Sequence, residues 1–242
     1  MTTTLARLPD DGAPDLLFLL LHGHGQTPDA MRPLAEALAR EYPQAAVLCL
    51  QAPLQADDPA GSGKPVDGYQ YFSRAGINDD NRAARVQAAL PAFVATVRNL
   101  QQQFSMSWQR TALAGFSQGA IVALEAVQVE PQLAGRVLAF GGRHTTIPDH
   151  APTDTTLHLL HGLADEVVPA TPVIDAANAL VLLGADITAD ILPGIGHQLH
   201  PRLIDKAIEQ LRTFLPRRLW REAMSEAPVL SKPASSKELD KP

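Results

Sequence analysis

Short unbroken apolar runs alternate along this chain with longer stretches in which apolar residues recur at helical spacing. Asp15 to Leu21 and Gln44 to Leu50 are apolar runs of strand length. Neither shows the in-out alternation of a half-exposed strand, so both predict strands covered on two faces of a parallel sheet. Between them a helix opens near Pro28, lines up Met31, Leu34, Ala35 and Leu38, and stops at Pro43. Asn78 to Phe104 predicts a long helix with Val86, Leu90, Phe93, Val94 and Val97 on one face, and Pro91 inside it can kink it. Gln118 to about Val129, about Ala170 to Leu183 and about Pro201 to Leu215 predict further helices. Arg136–Phe140, Thr155–Leu160 and Asp186–Leu192 predict further strands. Residues 1–14 read as an edge strand or a loose arm. Residues 52–68 read as an irregular Pro/Gly excursion, followed by a short strand or apolar wall at Tyr69, Tyr71 and Phe72. The alternation predicts an α/β fold over residues 1–221 as one domain, with a mostly parallel central sheet and helices on both faces. Residues 222–242, rich in Ser, Lys, Pro and Glu, predict a disordered tail.

Composition narrows the classes. Of 242 residues 45% are hydrophobic and 19% charged, enough for a large core. The net charge is -6 and no basic stripe is present, so a nucleic-acid partner is not expected. The single cysteine, Cys49, lies inside an apolar run, which excludes a disulfide framework and fits a reducing compartment. The first apolar run is short and follows acidic residues, unlike a secretory signal, and no run approaches the ~18 apolar residues of a membrane span. The expectation is a cytoplasmic protein without stable membrane insertion. A homodimer is left open.

Candidate chemistry starts at Ala112-Leu113-Ala114-Gly115-Phe116-Ser117-Gln118-Gly119-Ala120. A bare G-x-S-x-G is also met as a glycine-flanked turn with a surface serine. Here a strand run precedes it and a helix pattern follows, the context of a nucleophile elbow. Glycines at 115 and 119 are expected to clear close backbone and to tolerate unusual dihedrals. Asp165 follows the strand ending at Leu160, and His197 follows the last strand. The order Ser117, Asp165, His197 is that of an α/β-hydrolase triad. Such a set is needed because a serine hydroxyl is a poor nucleophile until a histidine takes its proton and an acid fixes the histidine's tautomer. The oxyanion hole is expected from the backbone N–H groups of Gln118 and His24. Other readings remain at this level. Asp165 can cap the following helix, Glu166 can be the acid, and His200 can be the base. The eight histidines match no metal-ligand spacing, so no metal is expected. Leu163, Tyr71 and Phe72 are candidate substrate contacts, the aromatics serving equally well as core. The 52–68 excursion is expected to border the pocket.

These residues resemble a known family. Leu-His-Gly-His-Gly at 21–25, Gly-Phe-Ser-Gln-Gly at 115–119, His-Gly-Leu-Ala-Asp-Glu-Val-Val-Pro at 161–169 and Gly-Ile-Gly-His at 194–197 are similar to motifs of the phospholipase/carboxylesterase family. The likeness runs over about residues 15–215, and the stretch from Tyr71 to Arg82 looks closest to the bacterial YpfH-like esterase branch. The resemblance implies an α/β-hydrolase fold without a large cap domain, no cofactor, and an ester or S-acyl substrate. It implies the same triad and the same oxyanion pair. Position 24 departs from the family, which usually carries an apolar residue there, so inferences about acyl binding at that side chain are weakened. The reading is a serine carboxylesterase for small-to-medium acyl esters, working through an acyl-enzyme. The alternatives are an acyl-protein thioesterase or lysophospholipase, and a non-catalytic binding module on a hydrolase scaffold.

Overall fold

In the computed structural model residues 2–58 and 66–226 are described. In chain order, β1 (Thr2–Arg7) is followed by β2 (Leu16–Leu21), α1 (Arg32–Glu41) and β3 (Ala45–Gln51). Two short strands, β4 (Leu54–Gln55) and β5 (Tyr69–Gln70), pair antiparallel beside the main sheet. Then come α2 (Asp79–Gln103), β6 (Thr111–Phe116), α3 (Gln118–Val129) and β7 (Arg136–Phe140). The chain continues through β8 (Thr156–Gly162), α4 (Ala170–Leu182), β9 (Asp186–Leu192), α5 (Pro201–Thr213) and α6 (Arg217–Glu226).

The sheet order is β1-β3-β2-β6-β7-β8-β9. Every neighbouring pair is parallel except β1 with β3, so β1 is the edge strand that residues 1–14 allowed for. Side chains alternate across a strand, and β2 shows what that does to a wholly apolar run. Leu17, Leu19 and Leu21 enter one core with α2, α3 and α4, while Phe18 and Leu20 enter a second with α1 and α5. Burying each such side chain contributes about 1.5–3 kcal/mol, so the continuous run is what a two-sided sheet demands. This is the α/β-hydrolase arrangement. Among the described residues no cap domain interrupts it.

Local signals account for most boundaries. Asn78 caps α2 through a reciprocal pair with Asn81, each side chain accepting from the other's backbone N–H at 3.0–3.1 Å. Pro91 sits inside α2, which continues through it as one element. Cys49 is fully buried, and burial pushes its thiol up to about 12, which makes it a core residue without thiolate chemistry. One boundary differs from expectation. The chain is helical through Glu226, five residues into the predicted tail, and residues 227–242 lie outside the described residues, as do 59–65 of the Pro/Gly excursion. Helix α6 has little apolar surface to bury and is tied down by charge instead. Its Arg217 N–H donates to Asp186 at 2.8 Å, and Arg221 pairs with Asp154 at 2.5 Å.

A buried histidine in β8 sets a pH dependence. His158 donates from Nδ1 to the Thr188 hydroxyl at 2.9 Å and accepts at Nε2 from Arg136 at 2.9 Å. Burial first, and the Arg136 charge second, lower it to about 3. Its folded value lies below the ordinary 6.5, so the unfolded chain binds more protons between those values. The stabilisation is complete above 6.5 and is lost as pH falls toward 3, by up to about 1.4 kcal/mol per pH unit. Urea midpoints measured between pH 7 and 4 are expected to fall on acidification. His158→Gln should be less stable at pH 7 but lose stability more slowly; an unchanged slope in that variant would remove His158 from the account.

Candidate active site

Ser117 stands between β6 and α3 with φ +53° and ψ −114°, a left-handed backbone on a non-glycine residue. Such strain is retained where the surroundings enforce it. Here the Ser117 N–H donates to Phe140 O at 2.8 Å and its carbonyl accepts from the Ile121 N–H at 3.1 Å. The glycines either side give clearance. A Cβ on Gly115 would sit 2.4 Å from the backbone of Gly119 and Ala120, and one on Gly119 would sit 2.3 Å from Leu21 O. The unusual dihedral expected of the glycines falls on the serine itself.

Three residues from separate loops meet at this turn. His197 Nδ1 donates to Asp165 Oδ2 at 2.7 Å, and Ser117 Oγ donates to His197 Nε2 at 2.9 Å. A carboxylate accepts only, so it places the proton on Nδ1 and leaves Nε2 as the acceptor for the hydroxyl. Asp165 Oδ1 accepts from the N–H groups of Val167 and Val168 at 2.9 and 2.8 Å. It thus caps the turn after β8, while α4 begins later behind Pro169. His161, fully buried, donates from Nε2 to Val168 O at 2.8 Å and lies 3.5 Å from Asp165 Oδ2. The competing residues are placed elsewhere. Glu166 is exposed, and His200 caps α5, its Nδ1 accepting from the Arg202 N–H at 3.1 Å.

The turn after β2 supplies the opposite wall. His22 is fully buried. It donates from Nδ1 to Gly23 O at 2.8 Å and accepts from the Ala52 N–H at 3.0 Å, so it holds two loops together. Along the turn the Gly23 N–H donates to Gln26 Oε1 and the Gly25 N–H to Tyr69 O. Among the described residues the His24 N–H has no acceptor. The Gln118 N–H is the first of α3 and has no intrahelical partner. Burial, with the charge of Arg74, lowers His24 below its ordinary value. Its imidazole is therefore neutral at pH 7, and the 3.6 Å approach to Asp57 is no ion pair.

His24, Ser117 and Gln118 line one cavity of about 90 Å³, with Phe72, Ile121 and Val168 among its apolar walls. Of the candidate substrate contacts only Phe72 reaches it. Tyr71 is 2% exposed and packs in the core against His22, ring centres 5.5 Å apart. Leu163, 58% exposed, stands outside the cavity lining.

A fold of this kind hosts many chemistries, so relatives matter. Residues 9–215 match the model of the Phospholipase/Carboxylesterase family. The chain belongs to that family. Escherichia coli (strain K12) esterase YpfH is 42% identical over 217 residues, 90% of this chain and 90% of YpfH. An acyl-protein thioesterase 1 from Gibberella zeae is 32% identical over 116 residues, 45% of this chain and 49% of that protein. The crystal structure of esterase PE8 aligns with a TM-score of 0.78 at 27% identity, covering 88% of this chain and 99% of PE8. The expected family and fold are thereby borne out, and esterase chemistry is the activity this similarity supports.

Within this family member, several residues at the site escaped sequence reading. The Gln118 side chain accepts from the Tyr71 N–H at 2.8 Å and donates to Phe72 O at 2.7 Å, so it clamps the segment that presents Phe72. Glu125, buried in α3, accepts from His144 Nδ1 at 3.1 Å and from the Thr145 N–H and hydroxyl at 2.9 and 3.0 Å. Burial would raise its carboxyl, but these donors outweigh that and hold it below the ordinary value. Glu125 thereby pins the loop after β7, which carries Arg143 to the cavity. A signal existed for Arg143: a cation just past the carboxyl end of a predicted strand, where ligands bind.

Proposed function

We propose that this family member is a serine carboxylesterase for small-to-medium acyl esters, with Ser117 as nucleophile, His197 as general base and acid, and Asp165 as the residue orienting His197. The observation that carries the reading is the unbroken Asp165–His197–Ser117 hydrogen-bond chain at 2.7 and 2.9 Å. Ser117 Oγ attacks the ester carbonyl carbon while its proton passes to His197 Nε2. The resulting oxyanion is held by the N–H groups of Gln118 and His24, each worth about 10²–10³ in rate. The carbon–oxygen bond to the alcohol then breaks as His197 returns the proton to it, leaving an acyl-serine. Water repeats the sequence, giving up a proton to His197 and releasing the acid.

Phe72, Ile121 and Val168 beside Ser117 give a short acyl chain apolar surface to lie against. Treatment with a fluorophosphonate probe and intact-mass measurement is expected to add one label, mapped to Ser117. p-Nitrophenyl esters of graded length should be cleaved best at the short end. Labelling with activity confined to long chains or S-acyl peptides would move the reading to a thioesterase or lysophospholipase. A folded protein that takes no label would leave the binding-module reading.

A further inference from the structure

The stretch Tyr71–Arg82 carried the likeness to the bacterial branch, yet the reaction above uses none of its charges. Arg74, before α2, and Arg82, in its first turn, line the cavity that holds Ser117, and Arg143 joins them from the loop after β7. Among the described residues two carboxylates, Asp57 and Asp79, are seen to engage this group. Asp57 is already engaged by the Ser73 hydroxyl and the Arg74 backbone N–H; despite its partial burial these donors hold it at about 2. Asp79 is hydrogen-bonded to Arg82 and lies 3.8 Å from Arg143, beyond hydrogen-bond reach. Its side chain is 89% exposed, so it is screened by water and easily displaced as a counter-ion. His24 is neutral, and Asp165 is committed to His197 and two backbone N–H groups.

Arg143 is the decisive residue. Its side chain is only 23% exposed, and among the described residues its guanidinium makes no hydrogen bond. Its planar fork of donors lines the cavity with no hydrogen-bonded acceptor of its own, so it is free to bind an anion that enters there. The loop that carries it is fixed by buried Glu125, so the backbone from which the fork projects is in place before any ligand arrives. Ile77, Ile121 and Val167 line the same cavity and offer apolar surface for intervening methylenes.

We propose that Arg74, Arg82 and Arg143 form an anion subsite, and that the substrate is an ester carrying a carboxylate a few atoms from the scissile carbonyl. The inference rests on the esterase reading above and narrows its substrate class. Guanidinium groups bind a carboxylate through paired N–H donors, which fixes both its position and the ester's approach to Ser117.

The test compares esters that differ only by exchange of a terminal methyl for a carboxylate, on either arm. Monomethyl glutarate is set against methyl pentanoate for the acyl arm, and the acetates of 3-hydroxypropanoate and 1-propanol for the alcohol arm, with acid release followed by pH-stat. In at least one pair kcat/KM for the anionic ester is expected to exceed that of the neutral one by about tenfold or more, the size of one charge-assisted hydrogen bond. Arg143→Gln and Arg82→Gln should each collapse that ratio toward one. Free glutarate should inhibit the wild-type enzyme competitively and glutaramide should not, a readout that needs no variant to fold. Neutral esters preferred in both pairs, or a ratio unmoved by both substitutions, would overturn the subsite. Cleavage of no ester together with no fluorophosphonate label at Ser117 would instead overturn the serine-esterase reading on which it rests.

Discussion

Ser117→Ala is expected to lower kcat/KM on p-nitrophenyl butyrate by about 10⁴–10⁶ while the protein stays folded. The loss is large because the members of such a set act together. Without the hydroxyl, the proton acceptor at His197 Nε2 has nothing to activate, and water must enter a site shaped for an oxygen fixed 2.9 Å away. A residual rate should survive if the proposed oxyanion donors, the N–H groups of His24 and Gln118, are left in place. Stability should change little. Alanine retains the +53° backbone, and only one hydrogen bond of a half-buried side chain is removed. Thermal unfolding run beside the kinetics separates the two effects. Near-normal turnover in a protein with unaltered melting would end the nucleophile assignment.

Gly119→Ala is expected to damage the fold itself. The added carbon would lie 2.3 Å from Leu21 O and 2.7 Å from Leu21 C and Cβ, separations real Cβ contacts do not show. Neither side can yield cheaply. Leu21 ends β2, which is hydrogen-bonded to β3 on one side and β6 on the other, and α3 is packed among fully buried side chains. Overpacking of this kind costs about 3 kcal/mol or more, which for a domain of this size lowers Tm by roughly 6–12 °C. Activity should fall as well, because any displacement of Leu21 moves the His22–Gly25 turn that carries one of the proposed oxyanion donors. A variant melting within 2 °C of wild type would show that helix and strand can part without cost, contrary to this packing.

The same glycine shows how far sequence reasoning reaches. Gly115 and Gly119 were legible as clearance around a tight turn, and the close approaches bear that out. The left-handed dihedral was misplaced, since a pattern of residue types does not say which residue of a turn absorbs the strain. Tyr71 and Phe72 are adjacent and share one core, yet only Phe72 also lines the cavity. An apolar residue type marks burial but not which buried residue borders the site. Helix α6 was missed because its anchors, Asp186 and Asp154, are charges distant in sequence.

Local physics is written in the chain and can be read from it: apolar runs that must be covered on both faces, prolines that stop helices, and the chain order of Ser117, Asp165 and His197. That was sufficient for the sheet, most element boundaries and the three residues worth testing. The tertiary structure alone decided what depends on distance through space. It brings Arg74, Arg82 and Arg143 to one cavity from two separate segments, pins the loop that carries Arg143 through Glu125 on a different element, and uses the Gln118 side chain as a clamp. No periodicity encodes such meetings, because hydrogen bonds and charges act across a few ångströms whatever the separation along the chain.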